Sequence, residues 1–235
     1  MSALPAAAVL FDLDGTLVDT APDIADAANH MLAALGRPTC DEKTVMGWIG
    51  DGIPRLIKRA LTGEPFKDPD EDLFQSAYTL FGDFYEKSVA VRSQLYPHAT
   101  ETLRSLHEAG FALACVTNKA ARFTEPLLAT LGLRAFFTLV LSGDSLIRVK
   151  PDPLPVVVAC ARLGVTLEGA VLVGDSGNDM RAAKAADVRA IALTTGYHHG
   201  ADLKGLGAQI LVDDLIKIPE LLYFEPQFRR SQVTS

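Results

Sequence analysis

The chain of 235 residues predicts an α/β fold: a parallel-sheet core carrying an inserted α-helical block. Three observations carry that prediction. Short apolar runs recur along most of the chain and end in small or polar residues; segments of helical period separate them; and one long stretch near the N-terminus has helical period with no strand between. Strands that are apolar on both faces and alternate with helices belong in a parallel sheet covered on each side, joined by right-handed crossovers.

The first strand is AAVLFDLD (7–14). In APDIADAANHMLAALG (21–36), Ile24, Ala28, Met31, Leu32 and Leu35 share one helical face and Gly36 is a stop. GIPRLIKRAL (52–61) and EDLFQSAYTLFGDFYEKS (71–88) are further amphipathic helices, with Gly63-Glu64-Pro65 and KDPDED (67–72) as loops. This implies a discontinuous core domain, 1–16 and 90–235, and a helical cap domain, 17–89. Beyond residue 97 the alternation sets in: helical ATETLRSLHEAG (99–110), strand LACVTN (113–118), helical FTEPLLATLGL (123–133), strand TLVLSGD (138–144). It continues with helical DPLPVVVACARLG (152–164), strand AVLVGDS (170–176), helical DMRAAKAAD (179–187) and strand AIALTTG (190–196). Five strands then make a Rossmann-like core, and the tail FRRSQVTS (228–235) is expected to fray.

Charge narrows the partners. With 22 basic and 29 acidic residues, net −7, and no dense Lys/Arg run, the surface is unsuited to nucleic acid or anionic membrane. No segment reaches the ~18 continuous apolar residues of a membrane span. The N-terminal MSALPAAAVLF has no basic n-region and its apolar run breaks at Asp12, so it does not read as a signal peptide. Three cysteines without C-x-x-C spacing suggest neither a disulfide framework nor a thiol zinc site, and a cytoplasmic protein is expected.

Ligands of an open parallel sheet bind beyond the carboxyl ends of its strands. Strand one ends in Asp12 and Asp14, strand two in Thr117 and Asn118; the loop after strand three offers Lys150, and strand four is followed by Asp175 and Asp179. A period of two puts Asp12 and Asp14 on one side of their strand, with Gly15-Thr16 as the turn. Asp12, Asp14 and Asp175 at one rim repel unless a cation compensates them, and an all-oxygen set suits Mg²⁺ better than zinc. A carboxylate beside such an ion is a nucleophile able to accept a phosphoryl group, with donors for its oxygens and an acid for the leaving group close by. The loop Gly50-Asp51-Gly52, with Arg55, is a candidate for recognising a small carboxylate through backbone N–H groups.

Blander readings exist for each residue. Asp14-Gly15 is a solvated turn on that view, Asp175 and Asp179 cap a helix, Thr117 and Asn118 cap a strand end, and Lys150 is a surface lysine. None accounts for all of them meeting at one rim. Trp48, Phe74, Tyr78, Phe81 and Phe84 read as core of the helical block, and His198 and His199 as an exposed loop.

DLDGT (12–16), Thr117 after ALACV, Lys150 before Pro151-Asp152-Pro153 and GDSGND (174–179) together resemble the four motifs of the haloacid dehalogenase superfamily, in order and across nearly the whole chain. The resemblance implies that Asp12 is the nucleophile and a Mg²⁺ ligand. Asp14 would be the general acid and base, with its backbone carbonyl on the metal; Thr117 and Asn118 would bind the phosphoryl group. Lys150 would hold nucleophile and phosphoryl oxygens, Asp175 would complete the metal's protein ligands, and Asp179 would support Lys150 or metal-bound water. LFDLDGTLVDTAP, WIGDGIPRLIKRAL (48–61), VTNK (116–119), SGDS (142–145) and VGDSGNDMRAAKAA (173–186) most resemble members that hydrolyse 2-phosphoglycolate. That implies a Mg²⁺-dependent phosphomonoesterase for a small phosphate ester, as monomer or homodimer, with the helical block as a mobile cap. Ala120, His98 and Val149 depart from the usual pattern. The alternatives are a phosphatase or mutase for a sugar phosphate such as an amino-sugar 6-phosphate, and a receiver-like phospho-accepting module, which lacks an insertion after its first strand.

Overall fold

A computed structural model describes residues 3–229. Its centre is a sheet of β1 (Ala8–Phe11), β2 (Ala112–Val116), β3 (Leu139–Leu141), β4 (Ala170–Gly174), β5 (Arg189–Leu193) and β6 (Ile210–Val212). The spatial order is β3-β2-β1-β4-β5-β6 and every neighbouring pair is parallel. This is a doubly wound α/β sheet whose order reverses between β1 and β4, where ligands of such sheets bind. The expected count of five strands is corrected to six. With three residues, β6 is too short for its alternation, Ile210 and Val212 buried and Leu211 half-exposed, to register as a period.

Alternation sorts the sheet's side chains into two layers. Val9, Phe11, Leu113, Cys115, Val171 and Val173 face one core, whereas Leu10, Ala114, Val116 and Leu172 face the other. On the second face Ala8, Ala170, Ala190 and Ala192 are small, which lets α7 (Leu154–Leu163) and α8 (Gly177–Ala185) pack close through Val156, Ala159, Met180 and Ala183. On the first face α5 (Ala99–Glu108) and α6 (Ala121–Thr130) contribute Leu103, Leu106, Phe123 and Leu127. Full burial of side chains such as Leu10 and Phe11 stabilises the fold by roughly 1.5–3 kcal/mol each. A last short helix, α9 (Leu203–Leu206), precedes β6.

The helical block comprises α1 (Ala21–Ala34), α2 (Glu42–Met46), α3 (Ile53–Thr62) and α4 (Glu71–Ser88). Ile24, Ala28, Met31 and Leu32 of α1 pack with Phe81 and Tyr85 of α4 and Leu56 and Ile57 of α3 in the same core as the first sheet face. The five-residue α2 was not foreseen; its signal is local, the Asp41 carboxylate accepting the Thr44 N–H. Both passages between block and sheet run side by side, Val18–Asp19 pairing antiparallel with Gln94–Leu95. Buried Asp23 ties them, Oδ1 accepting from the Arg92 N–H and Oδ2 from the Ser93 N–H and Oγ, each at 2.6–2.8 Å.

At the C-terminal side, Leu222–Phe224 pairs with Leu4–Ala6, and the Phe228 carbonyl accepts the Thr166 N–H at 2.9 Å. Phe228 and Arg229 are therefore tied down, and the rest of the tail expected to fray, 230–235, lies outside the described residues. Among the described residues no helix is long and apolar enough to cross a membrane.

Candidate active site

The sheet's register brings the site together. Phe11 lies opposite both Cys115 and Val173, so Asp12, Thr117 and Asp175 all leave the sheet at its carboxyl edge, around the β1/β4 reversal. The Asp12 N–H bonds the Val173 carbonyl and the Thr117 N–H the Leu141 carbonyl, both at 2.9 Å, fixing the first residue beyond each strand. One sequence argument is corrected here. β1 stops at Phe11 and Asp14 makes only an isolated bridge to Val18, so Asp12 and Asp14 lie in a loop rather than on one face of a strand.

That loop turns at Gly15, whose φ of +87° suits glycine; a Cβ there would collide with the Asp175 carboxylate and the Tyr197 ring. A Cβ on Gly196 would strike the Gly15 carbonyl and Asp175. Close backbone approach at both glycines thus packs the β1 loop against Asp175.

Side-chain oxygens of Asp12, Asp175 and Asp179 lie within 4.8 Å of one another, and all three residues are buried. Lys150 stands among them, Nζ 2.6 Å from Asp179 Oδ1 and 2.9 Å from Asp12 Oδ1. Its approach to Asp12 is off the hydrogen-bonding direction, so that buried oxygen has an ion-pair contact but no hydrogen bond. Burial and the neighbouring Asp179 charge push Asp12 up to about 7, against the opposing pull of Lys150. Burial, then Asp179 and Asp12, raise Asp175 well above the carboxylate range. For Lys150, burial acts downward but is outweighed by Asp12 and Asp179, leaving its ammonium held charged. Three acids against one lysine leave uncompensated negative charge, and an all-carboxylate donor set with one unbonded oxygen fits a hard divalent cation.

Each acid is held differently. Asp175 accepts the Thr16 hydroxyl on Oδ1 and the Tyr197 N–H on Oδ2, both at 2.6 Å. Asp179 closes a capping box on α8, its Oδ2 accepting from the Ser176 N–H and Oγ, while Oδ1 takes Lys150. Its expected support of Lys150 and the bland helix-cap reading are both present in one side chain. The Asp14 carboxylate is outside the three-acid group, accepting the Thr20 hydroxyl at 2.8 Å and Lys119 Nζ at 3.1 and 3.3 Å.

Asp12, Asp14, Thr117 and Asn118 line a cavity of about 30 Å³, roofed by Ile24, Ile49, Gly50, Gly52, Ile53 and Leu56 of the helical block. Asn118 is a clasp: its Nδ2 donates to the carbonyls of Gly50 (3.0 Å) and Lys150 (2.8 Å), and its Oδ1 accepts the Lys150 N–H. Gly50 and Gly52 therefore do reach the cavity. Asp51 does not: its carboxylate turns away to Arg59 and to Asn178 Nδ2 (2.8 Å), on a separate outer cavity of about 370 Å³. Arg55 lines neither cavity, its Nη1 lying 3.6 Å from Asp68, so the structure does not bring it to the site.

Trp48 borders the outer cavity while packing on the core, Phe81 is fully buried, and Phe74, Tyr78 and Phe84 are partly buried against the same core. His199 is exposed, with Nε2 3.2 Å from the Ile49 carbonyl. Sequence reasoning missed Lys119, Thr16, Tyr197 and Asn178. Lys119 had a signal, a lysine directly after Thr117-Asn118 at the end of an apolar strand; the backbone N–H of Tyr197 had none.

Sheet topology and site together define a doubly wound α/β protein whose carboxylates and a lysine meet at the switch point beneath a helical roof. The chain belongs to the haloacid dehalogenase-like hydrolases, whose family model matches residues 9–193. Among its relatives, phosphoglycolate phosphatase of Nitrosospira multiformis is 45% identical over 219 residues, covering 93% of this chain and 96% of that protein. That of Nitrosococcus oceani is 43% identical over 214 residues, covering 91% and 95%. The crystal structure of a predicted phosphoglycolate phosphatase from Haemophilus somnus superposes with a TM-score of 0.85 at 33% identity, over 92% of this chain and 97% of that one. CbbY from Rhodobacter sphaeroides, in complex with phosphate, has a TM-score of 0.73 at 29% identity, over 91% and 96%.

Proposed function

We propose that this hydrolase is a Mg²⁺-dependent phosphomonoesterase that works through an aspartyl-phosphate at Asp12, with 2-phosphoglycolate as its substrate. The observation that carries the chemistry is the convergence of buried Asp12, Asp175, Asp179 and Lys150 at the switch point. What favours the substrate is the shared name of relatives 43–45% identical along more than nine-tenths of the chain.

Asp12 attacks phosphorus, and the bond from phosphorus to the ester oxygen breaks as Asp14 gives that oxygen its proton, releasing glycolate. Water then attacks the phosphoryl group on Asp12, Asp14 takes the water's proton, and inorganic phosphate leaves. Thr117 and the backbone of Asn118 donate to the phosphoryl oxygens, and Lys150 neutralises Asp12 and those oxygens. Asp12, Asp175 and the Asp14 carbonyl would hold Mg²⁺, with Asp179 supporting Lys150; bound there, the ion neutralises charge developing on the phosphoryl oxygens. The cap domain, residues 17–89, excludes water, and Gly50 and Gly52 bound the leaving group. A cytoplasmic enzyme, monomeric or homodimeric, completes the reading.

Release of phosphate from 2-phosphoglycolate, hexose phosphates and N-acetylmuramate 6-phosphate, each with Mg²⁺ and then EDTA, tests the reading. Phosphoglycolate is expected to be hydrolysed fastest, and only with Mg²⁺. Equal low rates on all three would remove the substrate, and a long-lived phosphoprotein without phosphate release would favour a receiver-like module.

A further inference from the structure

A buried substrate carboxylate is stabilised most by a cation, and Arg55, the candidate arginine beside the Gly50–Gly52 loop, lies elsewhere. Arg55 faces Asp68, and Arg59 faces Asp51 on the outer cavity. Among the described residues lining the catalytic cavity, the cation is Lys119. Beyond the two acids, Thr117 and Asn118, the remaining wall consists of Ile24, Ile49, Ile53, Leu56 and two glycines. Asn118 has no amide left to offer, since both of its polar atoms are engaged with Gly50 and Lys150.

We propose that Lys119 is the specificity-determining residue of this site: its ammonium binds the carboxylate of a small phosphorylated hydroxy acid whose phosphoryl group lies at Asp12. The inference rests on the phosphatase reading above and adds the residue that reads the second negative charge.

Lys119 is 3% exposed and its Nζ is anchored by Tyr85 of α4, donating to the phenol oxygen at 2.7 Å with Nζ 4.8 Å from the ring centre. Its other contacts fork across the two oxygens of Asp14 at 3.1 and 3.3 Å. Charge-assisted N–H···O bonds usually close to about 2.7–2.9 Å, so neither contact is at its best length. A substrate carboxylate entering the cavity can take one of these donors while Asp14 keeps the other and its Thr20 bond. Tyr85 holds the ammonium in place throughout, and the substrate carboxylate shares with Asp14 the buried positive charge of Lys119.

The test compares 2-phosphoglycolate with ethyl phosphate, which has the same two-carbon skeleton with a methyl group in place of the carboxylate. The readout is the ratio of their kcat/KM values with Mg²⁺, which is independent of the fraction of active protein. Lys119→Met is expected to lower that ratio by about 30-fold or more, with a much smaller change on ethyl phosphate, and Lys119→Arg to keep most of the preference. If Lys119→Met slows both esters equally, Lys119 serves Asp14 alone and the proposal is overturned. Wild-type protein that hydrolyses both esters without preference would instead overturn phosphoglycolate as substrate, and wild-type protein inactive on both would overturn the phosphatase reading.

Should Lys119→Met be inactive on both esters, so that no ratio can be measured, binding in an Asp12→Asn background decides; a ratio unchanged from wild type overturns the proposal. Calorimetric titration with each ester, with and without Lys119→Met, is expected to show affinity lost for phosphoglycolate alone; unchanged affinity would overturn the proposal.

Discussion

Asp175 has both carboxylate oxygens hydrogen-bonded before any ligand arrives, by the Thr16 hydroxyl and the Tyr197 N–H. The two bonds fix the carboxylate's orientation, so a cation meets a prepared ligand instead of a mobile one. Thr16→Val removes one of them without changing side-chain volume much. It is expected to destabilise the protein by about 1.5–3 kcal/mol and weaken Mg²⁺ binding by about 10–100-fold. Chemical denaturation and calorimetric Mg²⁺ titration measure the two, and unchanged Mg²⁺ affinity would mean that Asp175 does not hold the ion. At this scale the sequence disclosed the acids and Lys150, because they recur at strand ends with motif spacing. It concealed their neighbours: Thr16 looked like part of a turn, and Tyr197 acts on Asp175 through a backbone N–H that no side-chain pattern marks. Lys119 carried a signal in its place directly after Thr117-Asn118, but nothing in that signal says that its ammonium is buried against Asp14.

At the scale of elements, the long strands and helices were legible and the short ones were not. Helix α4, with 18 residues, shows several turns of period, whereas α2 and β6 have too few residues to show any. His98, one of the three departures from the usual pattern, has a positive φ of 62° directly before α5, a conformation that glycine adopts without strain. Its ring lies 2.8 Å from Asp214, a side-chain contact that glycine would lack. The junction of α1 with the two crossing passages depends on a single buried carboxylate. Asp23→Ala would strand the Arg92 N–H and the Ser93 N–H and leave the Ser93 hydroxyl only its 3.5 Å contact with the Val89 carbonyl. Leaving buried donors unpaired costs about 1–3 kcal/mol each, so a loss of about 3 kcal/mol or more is expected in urea unfolding. A loss below about 1 kcal/mol would show that water replaces Asp23 easily and that this junction is not a fixed pivot.

Across the whole molecule, a helical roof is held to a sheet whose carboxyl edge carries excess negative charge in buried side chains. Asn118 and Asn178 both donate to the Gly50 carbonyl, joining sheet and roof directly above the acids and separating the catalytic cavity from the outer one. The fold class and the rim were readable because strand-end chemistry survives as sequence spacing. Which face of the Gly50–Gly52 loop meets the substrate was not readable, because it depends on how the roof sits on the core. The excess charge has a thermodynamic consequence. Since burial and Asp179 raise Asp12 to about 7 in the fold, its protonated form stabilises the metal-free protein, fully below about pH 4 and progressively less as pH rises through 7. Mg²⁺ should reverse that loss, so the rise in Tm on replacing EDTA with Mg²⁺ is expected to grow by roughly 5 °C or more between pH 5 and pH 8. A constant increment would place the ion away from Asp12. Covalent transfer to Asp12 followed by hydrolysis that needs Asp14 is tested by rapid-quench kinetics of Asp14→Asn with p-nitrophenyl phosphate and Mg²⁺. This leaving group departs without a proton, so a burst approaching one p-nitrophenolate per site is expected, then a slow phase, with phosphate on Asp12. Steady release without a burst, or phosphate on any other residue, would contradict it.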